Sequence, residues 1–282
     1  MPRTEPDRCS NRSLARRREE GLVRHVYCVV AAVLIPSSTS LPFPGLSRQD
    51  VHVWFCDLSR HEPERAALVA LLSTEEQNRA ARFAFDRDRQ RFMLSHGLLR
   101  LILAHYAGEE PGQLQFETGA HGKPSLLRRS HTGQPIEFSL SHSGQYGVVA
   151  VADGRAVGVD VEVCRPDVDA LKLAQRFFAP GESQRIAQAH GEEQPHMFYR
   201  YWTGKEAYLK GRGVGLSFGL DRFELLFDEQ LMQAQVRLTE SGILDRDWSV
   251  QSLLVGEQVA GAIAVEGEAW QVQMFDAMAL FC

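Results

Sequence analysis

Apolar and polar positions first alternate at residues 51–56, where Val51, Val53 and Phe55 take one side and His52, Trp54 and Cys56 the other. A period of two puts successive side chains on opposite faces, so this segment is predicted to be a strand. The Pro-rich stretch 36–45 precedes it and sets the start of the domain near residue 48. Ser73 followed three residues later by Glu76 is a capping box, which predicts a helix over 74–83. A second helix opens at Asp86, carries Phe92, Leu98, Leu99, Ile102 and Tyr106 at helical spacing, and stops where Gly108 can cap it. From Phe138 to Val163 the chain turns strand-like, and Asp153 with Gly154 between 148–151 and 157–163 predicts a hairpin. Helices are then predicted around 171–178, from Pro180 and over 196–209, with strands near 223–227, 248–254, 261–265 and 271–274. Strand, helices and strands thus recur on both sides of residue 155. That pattern implies a mixed α/β (α+β) architecture of two similar halves, 48–155 and 156–282.

The 282 residues leave room for one large domain or two small ones. With 44% hydrophobic and 24% charged residues, the balance is that of a soluble globular protein and excludes fibrous, disordered and membrane-embedded classes. A net charge of -5 without a basic stripe argues against a nucleic-acid partner. Cys9, Cys28, Cys56, Cys164 and Cys282 are odd in number and form no CxxC pair, so thiols in a reducing cytoplasm are expected. Residues 1–47 admit two readings. Arg16, Arg17 and Arg18 before the apolar run Val26–Ile35 and the small residues 37–40 follow the order of a signal peptide, in a run too short to span a membrane. The other reading, a disordered or non-native extension, is preferred because the chemistry below uses a cytoplasmic substrate.

Candidate chemistry begins at Gly158, Val159, Asp160, Val161 and Glu162. A strand there places Asp160 and Glu162 on one face and the valines on the other. Two adjacent carboxylates repel and resist desolvation, so the pair fits either a half-site for a cation or a wet acidic edge. Magnesium suits the first alternative, since it takes oxygen ligands and shares them with phosphates. In the helix over 196–209 and just beyond it, Trp202, Glu206 and Lys210 fall at i, i+4 and i+8 on one face, with Lys205 turned elsewhere. Gly204 inside that helix signals a close approach. Gly211, Gly213 and Gly215 follow a helix and do not precede one, which excludes a phosphate-binding loop and makes them the helix terminus.

These segments resemble the Sfp-type 4'-phosphopantetheinyl transferases, whose signatures are a G-(I/V)-D-(I/V)-E strand and a W-(S/T)-x-K-E-x-x-x-K helix. Both occur here in order, about forty residues apart, and the stretches at 122–124, 138–144 and 176–178 resemble the same family. The likeness runs from about residue 50 to the C-terminus. It implies the 4'-phosphopantetheinyl transferase fold, a pseudo-dimer of two halves, each a small mainly antiparallel sheet packed with helices, with coenzyme A in the cleft between them. It further implies Mg2+, or Mn2+ in its place, held by Asp160, Glu162 and Glu206, with Glu206 also the base and Lys210 steadying developing charge. For coenzyme A it implies contacts from Arg91, Lys123, Ser141, His142, Asp160, Lys205 and Lys210. Arg79 is a further candidate, although Glu76 stands where another basic residue is expected. Trp202, Gly213 and Gly215 would shape the site.

The implied reaction moves the 4'-phosphopantetheine arm of coenzyme A onto a serine of an apo acyl or peptidyl carrier protein, carried out by a cytoplasmic monomer. The residues alone leave two rivals open: metal-assisted hydrolysis of a phosphoester or diphosphate, and binding of coenzyme A or a carrier without turnover.

Overall fold

The computed structural model describes residues 45–59, 62–228, 230 and 232–281, so the expectations for residues 1–44 lie outside the described residues. Helices α1 (Glu62–Ala70), α2 (Thr74–Ala80) and α3 (Asp86–Ala107) follow strand β1 (Asp50–Asp57). The short strands β2 (Phe116–Thr118) and β3 (Pro124–Leu126) pair as a ribbon ahead of β4 (Ile136–Ser143), β5 (Tyr146–Asp153) and β6 (Val157–Val163). Helices α4 (Ala170–Phe177), α5 (Pro180–Gln188) and α6 (Glu193–Arg212) lead to β7 (Phe223–Asp228), β8 (Gln233–Leu238), β9 (Leu244–Gly256), β10 (Val259–Glu266) and β11 (Gln271–Asp276). Two sheets result, in the orders β11-β1-β5-β4 and β6-β10-β9-β8-β7. Every pairing is antiparallel except β1 with β11.

Period-two patterning makes the layers. In β1 and β5, Trp54, Cys56, Val149 and Val151 face α3, where Leu98, Leu99, Ile102 and Leu103 complete one core. Their alternates Val51, Val53, Val148, Ala150 and Ala152 meet Val157, Val159, Val161, Ile263 and Val265 of the second sheet. The far face of that sheet is small, with Ala262 and Ala264, and α6 lies on it through Ala207, Tyr208 and Leu209. The capping box at Ser73 and the left-handed cap at Gly108 are both present.

Two expectations are corrected. β5 and β6 are not a hairpin: β5 is flanked on both edges by β1 and β4, and β6 pairs with β10 in the other sheet. The turn at Asp153 and Gly154, with Gly154 at φ 65, instead carries the chain from one sheet to the next. Ser130 and Thr132 hydroxyls donate to the buried Asp153 carboxylate there and fix it. The hairpin lies one strand earlier, where Gly144 at φ 58 starts the two-residue turn between β4 and β5. The last strand also departs from the expected grouping, because β11 returns to lie beside β1 in the first sheet.

Helix α6 approaches β6 closely because both carry glycine at the crossing. A Cβ on Gly158 would overlap the Ala207 carbonyl oxygen and the Gly211 backbone nitrogen. Gly158→Ala is therefore expected to destabilise the protein by about 3 kcal/mol, the upper part of the overpacking range, as read from chemical denaturation.

His52 is fully buried, with Nδ1 2.7 Å from the Tyr106 hydroxyl and Nε2 lacking a partner among the described residues. Burial lowers its pKa from 6.5 to about 4. The unfolded imidazole takes a proton near its ordinary value while the folded one refuses it. The resulting stability is complete above pH 6.5 and is lost as pH falls toward 4, amounting to roughly 3 kcal/mol. Urea unfolding across this window should show a correspondingly shallower pH dependence in His52→Phe.

Candidate active site

The site lies where β4, β6 and α6 meet. On β6 the valines turn into the layer between the sheets, so Asp160 and Glu162 necessarily face α6. Asp160 is 3% exposed, and its Oδ1 accepts from Lys210 Nζ at 2.6 Å and from Ser141 Oγ at 2.7 Å. Its Oδ2 is buried and has no hydrogen-bond partner among the described residues. The Lys210 ammonium also donates to Ser141 Oγ at 2.8 Å. Glu162 Oε2 accepts from Ser143 Oγ at 2.6 Å. Burial pushes the Glu162 carboxyl up, the Ser143 bond opposes this, and Asp160 adds to it.

Glu206 sits one helical turn before Lys210 on α6, half-buried, with no hydrogen bond to any of the described residues. Burial, then the Asp160 charge, raises its pKa to about 7, against the pull of Lys210, and Glu162 contributes further. Three acids and one lysine thus share a poorly solvated space. Among the described residues no three metal-binding side chains are gathered closely enough to form a finished ion cage. The all-oxygen donor set and the orphaned Asp160 Oδ2 nevertheless fit a hard divalent cation, which would offset the repulsion among the carboxylates.

Around this centre the first half supplies cations. Arg91 Nε donates to the Gly144 carbonyl at 2.8 Å, and exposed His142 lies within electrostatic range of Arg91 and Lys210. Lys123 reaches across to donate to the Gly211 carbonyl at 2.8 Å and the Val157 carbonyl at 3.2 Å. Gly213 at φ 65 caps α6, and Gly215 at φ 68 continues the bend. Arg79 is exposed over the Phe92 ring, and with Arg82 and Phe83 it lines a shallow depression.

Residues 156–264 match the family model described as the 4'-phosphopantetheinyl transferase superfamily, and residues 59–154 match the 4'-phosphopantetheinyl transferase N-terminal model. The chain is 37% identical over 241 residues to the 4'-phosphopantetheinyl transferase HetI of Nostoc sp., covering 83% of this chain and 96% of that protein. The chain belongs to the 4'-phosphopantetheinyl transferase superfamily. It is also 30% identical to the transferase Sfp of Bacillus subtilis over 65% of this chain and 78% of that one. A human relative, L-aminoadipate-semialdehyde dehydrogenase-phosphopantetheinyl transferase, is 29% identical over 70% of this chain and 68% of its own length. The activity is that of the family, transfer of 4'-phosphopantetheine from coenzyme A to carrier proteins.

Seen as a phosphopantetheinyl transferase, the chain brings together Asp160, Glu162, Glu206, Lys210 and Ser141, with Arg91 and His142 alongside. Lys205 is a correction. It is fully buried, pairs with Glu182 at 2.8 Å, and donates to the carbonyls of Leu220 at 2.7 Å and Phe223 at 2.5 Å. All three ammonium protons are spent inside the second half, so it does not reach coenzyme A. Trp202 likewise packs on Phe198 and Phe178, at ring separations of 5.8 and 6.3 Å. Glu76 turns inward, closing its capping box and pairing with the buried Arg100 at 2.6 Å, which is why no cation stands at that position.

Sequence reasoning missed Glu182, Ser139 and Ser143. The serines were signalled by their period of two along β4; nothing in the local sequence marks Glu182.

Burial pushes Glu182 up and Lys205 down, and the charge of each opposes the shift of the other. Lys205→Met should destabilise the transferase by about 3–5 kcal/mol in denaturant titrations, because it strands a buried carboxylate. The double variant Glu182→Leu/Lys205→Met should recover most of that loss and leave the KM for coenzyme A unchanged.

Proposed function

We propose that this transferase uses Asp160, Glu162 and Glu206 to hold Mg2+ beside the diphosphate of coenzyme A and acts on a serine of an apo acyl or peptidyl carrier protein. The products are the holo carrier protein and adenosine 3',5'-bisphosphate. The observation that carries the reading is the buried Asp160 Oδ2, without a hydrogen-bond partner among the described residues, within electrostatic range of a Glu206 carboxylate that bonds to none of them. The bound cation would supply charge neutralisation to the diphosphate as its bond to the leaving group breaks.

The side chains divide the remaining work. Asp160 and Glu162 each have one oxygen engaged by a serine hydroxyl, whereas Glu206 is engaged by none. Glu206 is therefore the carboxylate able to take the serine proton, directly or through water, as the hydroxyl attacks phosphorus. Lys210 lies on Asp160 and Ser141 and supplies positive charge where the phosphoryl oxygens gain negative charge. Arg91 and Lys123, together with the exposed Arg79, form the cationic side suited to the nucleotide phosphates. His142, which burial and then Arg91 and Lys210 push toward its neutral form, stands beside them as a hydrogen-bonding group. Gly213 and Gly215 let the chain bend past the pantetheine arm.

One chain contributes both sides of this site, which supports action as a monomer. Among the described residues no helix is long and apolar enough to cross a membrane, and Cys164 is a thiol, in keeping with a cytoplasmic enzyme.

Protein, Mg2+, coenzyme A and an apo carrier are mixed and the carrier is weighed intact. A gain of one phosphopantetheine is expected. Consumption of coenzyme A with an unchanged carrier would mean hydrolysis, and no change in either would mean binding alone. Glu206→Gln should lower the transfer rate at least ~100-fold, the scale of a lost general base, with an unaltered thermal midpoint. Turnover near the parent rate would remove Glu206 from the chemistry.

A further inference from the structure

We infer that Ser143, on the last residue of β4 in the first half, is a positioning residue that holds Glu162 of the second half in its metal-binding orientation. This rests on the proposed role of Glu162 as a metal ligand. The hydroxyl has a single proton and a defined use for each of its functions. It accepts from the Val163 backbone N–H at 3.1 Å and donates to Glu162 Oε2 at 2.6 Å. With its lone pair engaged by Val163, the proton is directed at the carboxylate, and one oxygen of Glu162 is fixed while the other stays available.

Ser143 is itself held from two sides. Its neighbour Gly144 takes φ 58, and a Cβ there would lie 2.8 Å from Val163 Cγ2, so the turn is pressed against β6. Arg91 of α3 donates to the Gly144 carbonyl at 2.8 Å and secures the turn from the other side. The reach from Arg91 to Glu162 therefore runs through one turn and one hydroxyl. Ser139 offers an internal comparison. It accepts from the Val159 N–H at 3.0 Å, the same bridge between the halves, but its hydroxyl donates to no carboxylate among the described residues.

The test measures Mn2+ affinity by electron paramagnetic resonance on the whole protein, without coenzyme A or carrier. Ser143→Ala should weaken binding about 10-fold, the lower end of what a lost outer partner of a metal ligand costs. Ser143→Thr, which keeps the hydroxyl, should restore it, and Ser139→Ala should leave affinity unchanged. In steady-state assays Ser143→Ala should raise the Mg2+ concentration for half-maximal rate by the same factor, with the KM for coenzyme A at saturating Mg2+ unmoved. Should Ser143→Ala fail to fold, Ser143→Cys keeps the size with a poor donor and should show the same direction of change. Equal affinity in the parent and Ser143→Ala, or an equal loss in Ser139→Ala, overturns the assignment. A parent protein that binds no Mn2+ overturns the metal reading itself.

Discussion

The free edge of β6 is the constraint on which the molecule depends. β6 is the outer strand of the second sheet, and its outward backbone groups have no strand to pair with. Side chains of the first half engage three of them: Ser139 accepts from the Val159 N–H, Ser143 from the Val163 N–H, and Lys123 donates to the Val157 carbonyl. Each such bond adds only about 1 kcal/mol, far less than the burial of the valine layer between the sheets. The apolar layer is non-directional, however, and would tolerate sliding. The hydroxyls fix the register in which the halves meet, and they close an edge that would otherwise invite pairing with another chain.

The same strand explains why the acidic centre tolerates burial. Asp160 and Glu162 are held by serines on one side and approached by α6 on the other, and Lys210 supplies the compensating charge that bonds directly to Asp160. Burial first, and then the neighbouring Asp160 charge, raises Glu206 to about 7, which Lys210 only partly offsets. The adjacent pair Lys205 and Glu206 shows how a helix separates roles. Successive side chains diverge by about 100°, so one buries its ammonium on Glu182 in the core of the second half and the other faces β6. Adjacency in sequence therefore says little about shared chemistry here.

Much of this was legible in the sequence because it follows from short-range periodicity. The capping box at Ser73, the left-handed Gly108 and the split of valines from acids on β6 are local, and the structure has all three. The spacing of Glu206 and Lys210 on one helical face is local in the same sense. What was not legible depends on partners distant in the chain. Asp153 ends β5 and Gly154 bends the chain at φ 65, but whether such a bend closes a hairpin depends on which strand occupies the edge of β5, and β4 does. Lys205 reads as a site cation until Glu182, from another helix, absorbs it. The return of β11 to β1 is likewise invisible to any window of the sequence.

A site assembled across a seam is also sensitive to the seam in a way a site within one half is not. Ser141 connects the halves twice, accepting from Lys210 on α6 and donating to Asp160 on β6, so the charge pair at the centre is completed by a hydroxyl from the opposite half. Neither half alone can present this arrangement: the second lacks the hydroxyls that orient its acids, and the first lacks the acids. The proposed chemistry would therefore draw on both halves, because the hydroxyls that bond the carboxylates come from one side and the carboxylates from the other. Gly158 and Gly211 bring α6 near enough to β6 for Lys210 to reach Asp160, which ties the depth of the site to two missing methyl groups.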